Sequence, residues 1–125
     1  MFGPLPVAGH PDSQVSGRMG KFSREKGKRG ERMFRDWLRD LGWTSAKRGV
    51  QYNGLGGADV VCKELDDVMM FEVKNVERLS IPDACDQAVR DAKGKIAVVA
   101  HKRNNHPWRF YMDDESFGRL LQLAV

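Results

Sequence analysis

The sequence has few cysteines and no long apolar run, and these absences limit what it can encode. Only two of its 125 residues are cysteine, Cys62 and Cys85, and they form no Cys-x-x-Cys pair. A disulfide framework or a cysteine zinc site is therefore not expected, and reduced thiols suit the cytosol. No apolar stretch is long enough to span a bilayer, and the N-terminus lacks the layout of a signal peptide. The sequence thus predicts a soluble cytoplasmic protein with no membrane partner.

Acidic residues are outnumbered, since 17 Asp and Glu oppose 21 Lys and Arg, for a net charge of +4. The cations crowd one segment, which contains Arg18, Lys21, Arg24, Lys26, Lys28, Arg29, Arg32 and Arg35. Only Glu25 and Glu31 oppose them there. Such a segment is either a solvated helix face or a surface that binds nucleic-acid phosphates, and composition does not choose between the two.

The order of apolar patterns predicts one α/β domain, because a chain of this length is normally a single domain. Residues 1–20 carry three prolines and little periodic apolar character, which predicts a flexible N-terminal tail before a domain of residues 21–125. Helices are predicted at about 23–41, 82–93 and 113–123, and strands at about 43–50, 58–63, 68–76, 96–100 and 108–112. This α-β-β-β-α-β-β-α order predicts a mixed central sheet of about five strands flanked by helices. The second and third strands should form an antiparallel hairpin, and the fourth should join the third in parallel.

Two carboxylates and a lysine lie on the strands of the predicted hairpin. Glu72 and Lys74 share one face because strand side chains alternate, and the hairpin brings Asp59 near that face. A surface ion pair would by itself explain Glu72 and Lys74. However, Asp59 and the apolar run at 68–71 favour a site for a divalent cation such as Mg²⁺, with Mn²⁺ as a substitute. A lysine beside such a cation can orient the attacking water, so the pattern predicts a metal-dependent nuclease.

Glu31 is a further candidate ligand, direct or through water. It lies on the same helical stripe as Phe34 and Leu38, next to Gly27 and Gly30. The alternative is an exposed acid near a helix start. Gln87, on the second helix, could contact the lysine, a water or DNA, or could be a boundary residue. The residues predicted to bind DNA are Lys28, Arg29, Arg32, Lys47, Arg48 and Gln87. The loop at 51–57 is rich in glycine. His101 and His106 are expected to lie on the surface, and Asp113 is expected to be a turn or cap residue rather than a catalytic one.

These motifs together resemble the PD-(D/E)xK nuclease superfamily. The stretches concerned are Gly27-Lys-Arg-Gly-Glu31, Gly-Ala-Asp59-Val-Val and Phe-Glu72-Val-Lys74, followed by the helix that carries Gln87. Within the superfamily the chain is most similar to archaeal-type Holliday junction resolvases and their phage-encoded relatives, from about residue 23 to residue 112. Ala58 stands where the superfamily motif has proline, and the tail is unlike the short start of archaeal members.

The resemblance implies a restriction-endonuclease-like core, with Glu31, Asp59, Glu72 and Lys74 as catalytic residues and Mg²⁺ held by the three acids. It further implies a homodimer that resolves four-way DNA junctions in recombination and repair, in the host cytoplasm if the protein is phage-encoded. The alternatives are another endonuclease of the superfamily, such as a nickase or a repair nuclease on linear or flapped DNA, or a non-catalytic DNA-binding module.

Overall fold

The structure, a computed structural model, describes residues 13–49 and 58–125, with side chains from residue 21 onward. Its elements are α1 (Ser13–Asp40), β1 (Lys47–Arg48), β2 (Val60–Val61), β3 (Met69–Asn75), α2 (Ile81–Ala92), β4 (Ile96–Lys102), β5 (Arg109–Tyr111) and α3 (Asp114–Leu123). This order confirms the predicted α/β class. Residues 1–12 of the predicted tail and the glycine-rich stretch 51–57 lie outside the described residues. Within the described ranges, no helix is long and apolar enough to cross a bilayer.

The strands lie side by side in one mixed sheet in the order β1-β2-β3-β4-β5. Strand β2 pairs antiparallel with β3, with Val60 opposite Phe71, as the hairpin prediction requires. Strand β3 runs parallel to β4, and Lys74 lies beside His101. The long central strands are therefore β3 and β4. β3 carries both Glu72 and Lys74.

Helix α1 packs against one face of the sheet through Phe34 and Leu38, which contact a core that includes Phe71 and Val73. It begins at Ser13 rather than near residue 23. Residues 13–22 contain two glycines but no proline, and proline is the residue that would interrupt a helix there. After its last turn, Gly42 takes a φ of +111°. The amide of Trp43 then donates to the carbonyl of Leu38, at 3.0 Å, and this closes the end of the helix.

Helix α2 covers the opposite face of the sheet. Its buried stripe is Ala84, Ala88 and Ala92, which packs on Met70, Ala97 and Val99. Alanine side chains are short, so the helix lies close to the sheet. Because side chains alternate along β3, Glu72 and Lys74 point to this α2 side while Phe71 and Val73 point to α1.

The outer strands are shorter than predicted, for local reasons. Before β1 the backbone hydrogen bonds form turns instead of strand pairing. For example, the amide of Ala46 donates to the carbonyl of Trp43 at 3.1 Å. After β2, the amide of Cys62 donates to a carboxylate oxygen of Asp66 at 2.8 Å, which begins the turn into β3. Cys62 and Cys85 are both free thiols.

Candidate active site

Asp59 is fixed at the start of β2 by the backbone around it. Its amide donates to the carbonyl of Phe71 at 3.1 Å, and its Oδ2 accepts from the amide of Val73 at 2.8 Å. On the other side, the amide of Gly49 donates to the Asp59 carbonyl at 2.9 Å. A Cβ at Gly49 would collide with the Ala58 carbonyl oxygen, so only glycine allows this approach. The carboxylate of Asp59 is therefore held against the centre of β3.

Glu72 lies in the middle of β3, and only 7% of its surface is exposed. The pKa of its carboxyl is raised from 4.5 to about 8, mainly by burial and further by the charges of Asp59 and Asp91, while Lys74 opposes the rise. Its Oε1 is buried and has no hydrogen-bond partner among the described residues. In the metal-free protein the Glu72 carboxyl therefore carries a proton below about pH 8.

The ammonium of Lys74 lies beside this pair. Its Nζ is 3.9 Å from Oε2 of Glu72 and 3.5 Å from Oε1 of Gln87. Gln87 therefore reaches the lysine, which is one of the contacts considered for it from the sequence. The charge of Asp91, one helical turn further along α2, also raises the pKa of Glu72. Asp91 was not predicted as a site residue, although its i, i+4 spacing from Gln87 puts both on the same face of α2.

Glu31 lies nearby but has a partner of its own. Its Oε1 accepts from Nε of Arg48 at 3.0 Å. Burial raises the pKa of Glu31, the charge of Asp59 adds to the rise, and the hydrogen bond from Arg48 opposes it. Among the described residues, no three His, Cys, Asp or Glu side chains cluster closely enough to hold a metal ion. The structure thus brings Asp59, Glu72 and Lys74 together and places Glu31 in an adjoining cleft.

The donor set of the pair fits a divalent cation. Hard carboxylate oxygens are the ligands that Mg²⁺ prefers. A cation would also relieve the repulsion that raises the pKa of Glu72, and it would give the unpartnered Oε1 a partner. Asp59 and Glu72 are the residues placed to hold such an ion.

The adjoining cleft is basic. Its volume is about 360 Å³, and it is lined by Arg24, Gly27, Lys28, Glu31, Arg48 and Gly49. Lys28 is paired with Glu25 at 3.6 Å on the surface of α1. Arg32 and Lys47 are exposed, and Arg29 lines a different concavity. The DNA-binding roles of these cations remain predictions.

His101 is buried, which corrects the expectation that it lies on the surface. Strand β4 continues past Ala100 and takes the residue into the sheet beside Lys74. Its Nε2 donates to the carbonyl of Val76 at 2.8 Å, and its Nδ1 lies 3.3 Å from the hydroxyl of Tyr111. Because the carbonyl can only accept, Nε2 carries a proton.

No protein-family model matches the chain, and no curated protein matches it. Among solved structures, the chain is similar to Hjc, a Holliday junction resolvase from the archaeal hyperthermophile Archaeoglobus fulgidus. The two are 30% identical, the match covers 67% of this chain and 72% of the archaeal one, and the TM-score is 0.44.

Proposed function

We propose that this protein is a divalent-metal-dependent DNA endonuclease of the PD-(D/E)xK superfamily that resolves four-way junctions. The observation that supports the chemistry is the buried contact of Asp59 with Glu72 beside the ammonium of Lys74. The substrate is drawn from the motif resemblance to archaeal-type resolvases, and the similar Archaeoglobus fulgidus protein is a resolvase of that kind.

In this proposal, Asp59 and Glu72 would hold Mg²⁺, with Glu31 contributing from the adjoining cleft. When bound there, Mg²⁺ would supply Lewis-acid polarisation of the scissile phosphate and would stabilise the leaving oxygen. Glu72 must release its proton to bind the ion, so metal affinity rises with pH. Asp59 keeps its position without the ion, because the amide of Val73 holds one of its oxygens.

Lys74 acts on the water and the phosphate. Its ammonium, 3.9 Å from Glu72, is placed to hold a nucleophilic water beside that carboxyl and to offset charge that develops on the phosphate. The side-chain oxygen of Gln87, at 3.5 Å, orients the ammonium from α2. Lys74 is therefore the candidate catalytic residue, and Gln87 is a positioning residue.

The basic cleft beside Glu31 suits DNA that is recognised by shape. Arg24, Lys28 and Arg48 can contact phosphates there without reading bases. A four-way junction has two equivalent strands to cut, so a twofold-symmetric homodimer would present one site to each. The dimer and a phage origin are finer predictions of the same resemblance.

The test compares a four-way junction with a linear duplex and a flap of matched length, in Mg²⁺ and in Mn²⁺. We expect Mg²⁺-dependent cutting that favours the junction and falls by at least about 10²-fold in Asp59→Asn. Asp67→Asn, an exposed change in the β2–β3 turn, is the matched control and should cut normally.

The outcomes separate the alternatives. Equal rates on all three substrates would remove the junction and leave a general endonuclease. DNA binding by the wild-type protein without any metal-dependent cutting would contradict the catalytic proposal and leave a non-catalytic DNA-binding module.

A further inference from the structure

A second concavity lies at the carboxyl ends of β3 and β4, on the α1 side of the sheet. Its volume is about 280 Å³, and it is lined mainly by Arg29, Asn75 and residues 102–105. We call it the strand-end pocket. Asn75 follows Lys74 on β3 and points to the opposite face of the sheet, so the pocket and the candidate active site flank the same strand end.

The pocket is cationic. Arg29, Lys102 and Arg103 line it together with the amide side chains of Asn104 and Asn105, and no carboxylate is among its lining residues. The acid next to it, Glu77, is already engaged, because its Oε2 accepts from the amide of Asn104 at 2.6 Å. The pocket therefore favours an anion.

The loop that forms the pocket is held in shape by its own hydrogen bonds. Nζ of Lys102 donates to the carbonyls of Arg103 at 3.0 Å and His106 at 2.6 Å. Nδ1 of His106 donates to the carbonyl of Asn104 at 2.7 Å, and Asn105 takes a φ of +61°. Lys102 thus shapes the loop, which leaves Arg103 as the loop cation available to a ligand.

Arg103 gives an independent indication of a missing partner. Its Nε is buried and has no hydrogen-bond partner among the described residues. A buried donor without an acceptor costs free energy, and an oxyanion that engages the guanidinium would recover it. Guanidinium groups bind phosphate through several donors at once.

The opposite wall of the pocket is fixed by α1. Nδ2 of Asn75 donates to the carbonyl of Lys26 at 3.0 Å, and a Cβ at Gly30 would lie only 2.6 Å from Cβ of Asn75. This close approach holds Arg29, the residue before Gly30, at the rim. Arg29 and Arg103 therefore face one pocket from elements far apart in sequence.

We propose that the strand-end pocket binds a backbone phosphate of DNA away from the scissile position, through Arg29 and Arg103. The choice of DNA as the source of the phosphate rests on the proposed function. A strand that crosses the carboxyl end of β3 could contact this pocket on one side and Lys74 on the other. The site would extend the DNA footprint from the cleft at Glu31 across α1.

The test measures binding of a four-way junction by fluorescence anisotropy in EDTA, over a range of salt concentrations. Each of Arg29→Ala and Arg103→Gln should weaken binding about tenfold and lower the slope of log Kd against log salt by about one. Arg103→Lys keeps the charge and should keep the slope. The matched control is Lys63→Ala, an exposed change at the other end of β3, which should stay within about twofold of wild type.

The proposed phosphate site would be contradicted if Arg29→Ala and Arg103→Gln gave the same affinities and salt slopes as Lys63→Ala. It would also be contradicted if the wild-type protein bound no DNA. Arg29 is exposed on a helix, so Arg29→Ala tests the pocket even if Arg103→Gln fails to fold. Because binding is measured without metal, a wild-type protein that binds with this pattern yet cuts no DNA supports the pocket while the proposed function fails.

Discussion

Replacing Glu72 with glutamine should stabilise the metal-free protein at high pH while abolishing its metal-dependent activity. The folded-state pKa of Glu72 is raised from 4.5 to about 8 by burial and by the charge of Asp59. For a raised pKa, stability is fully present below the unfolded value and is lost as pH rises through the folded value, here between 4.5 and about 8. The ionised carboxyl of the wild-type protein therefore opposes folding above about pH 8.

The size of the effect follows from the same values. At about 1.4 kcal/mol for each pKa unit, a rise from 4.5 to about 8 sets a ceiling of about 5 kcal/mol. Lys74, at 3.9 Å, and local relaxation reduce this, so we expect a gain of about 1 to 3 kcal/mol for Glu72→Gln. At about pH 5 the folded wild-type side chain already carries a proton, and glutamine should change stability little.

The assay is urea unfolding in EDTA at about pH 5 and about pH 9, where the midpoint reports the free energy of unfolding. The control is Glu77→Gln, which should have the opposite sign. The hydrogen bond from the amide of Asn104 lowers the pKa of the exposed Glu77 carboxyl, so removing that carboxylate should reduce stability at high pH. Equal stabilities of wild type and Glu72→Gln at both pH values would refute the reasoning, as would a gain of the same size at both.

Three further substitutions test two other parts of the account. Lys74→Met should lower the rate of DNA cleavage by about 10²- to 10³-fold in single-turnover assays, while the Kd for DNA changes by less than about threefold; a large loss of affinity with normal cleavage would reassign the lysine to binding. Gly30→Ala should destabilise the fold by about 1 to 3 kcal/mol in thermal unfolding, because the new Cβ would lie 2.6 Å from Cβ of Asn75. Gly27→Ala has nothing within 4 Å and should instead gain up to about 1 kcal/mol, so equal effects at the two glycines would contradict the helix position.

The order of the elements could be predicted because it depends on local patterns. Apolar periodicity and turn residues located each element to within a few residues, except for the start of α1, and the alternation along β3 correctly put Glu72 and Lys74 on one face. Asp113 was expected to be a cap or turn residue, and its carboxylate does accept from the amide of Ser116 at the start of α3. The early start of α1 was missed because the prolines, the glycines and the weak apolar periodicity of residues 1–20 were taken to mark a flexible tail.

The contacts of the site could not be predicted in the same way, because they join residues far apart in sequence. The ion pair between Glu31 and Arg48 depends on where α1 crosses the edge strand β1. His101 was placed on the surface because the predicted strand ended at residue 100, before the polar residues His101 and Lys102. In the structure β4 continues through both of them, because they pair with the end of β3. The strand-end pocket likewise exists only because Gly30 lets α1 reach Asn75.

The central claim is that Asp59 and Glu72 together hold a divalent cation, and direct titration of the DNA-free protein tests it. Mn²⁺ binding followed by electron paramagnetic resonance should be weakened at least about tenfold in both Asp59→Asn and Glu72→Gln, with Asp67→Asn unchanged. Binding by the wild-type protein should also tighten as pH rises toward about 8, because Mn²⁺ competes with the proton on Glu72. Wild-type affinity in both variants, or no binding by the wild-type protein at any pH, would contradict the account.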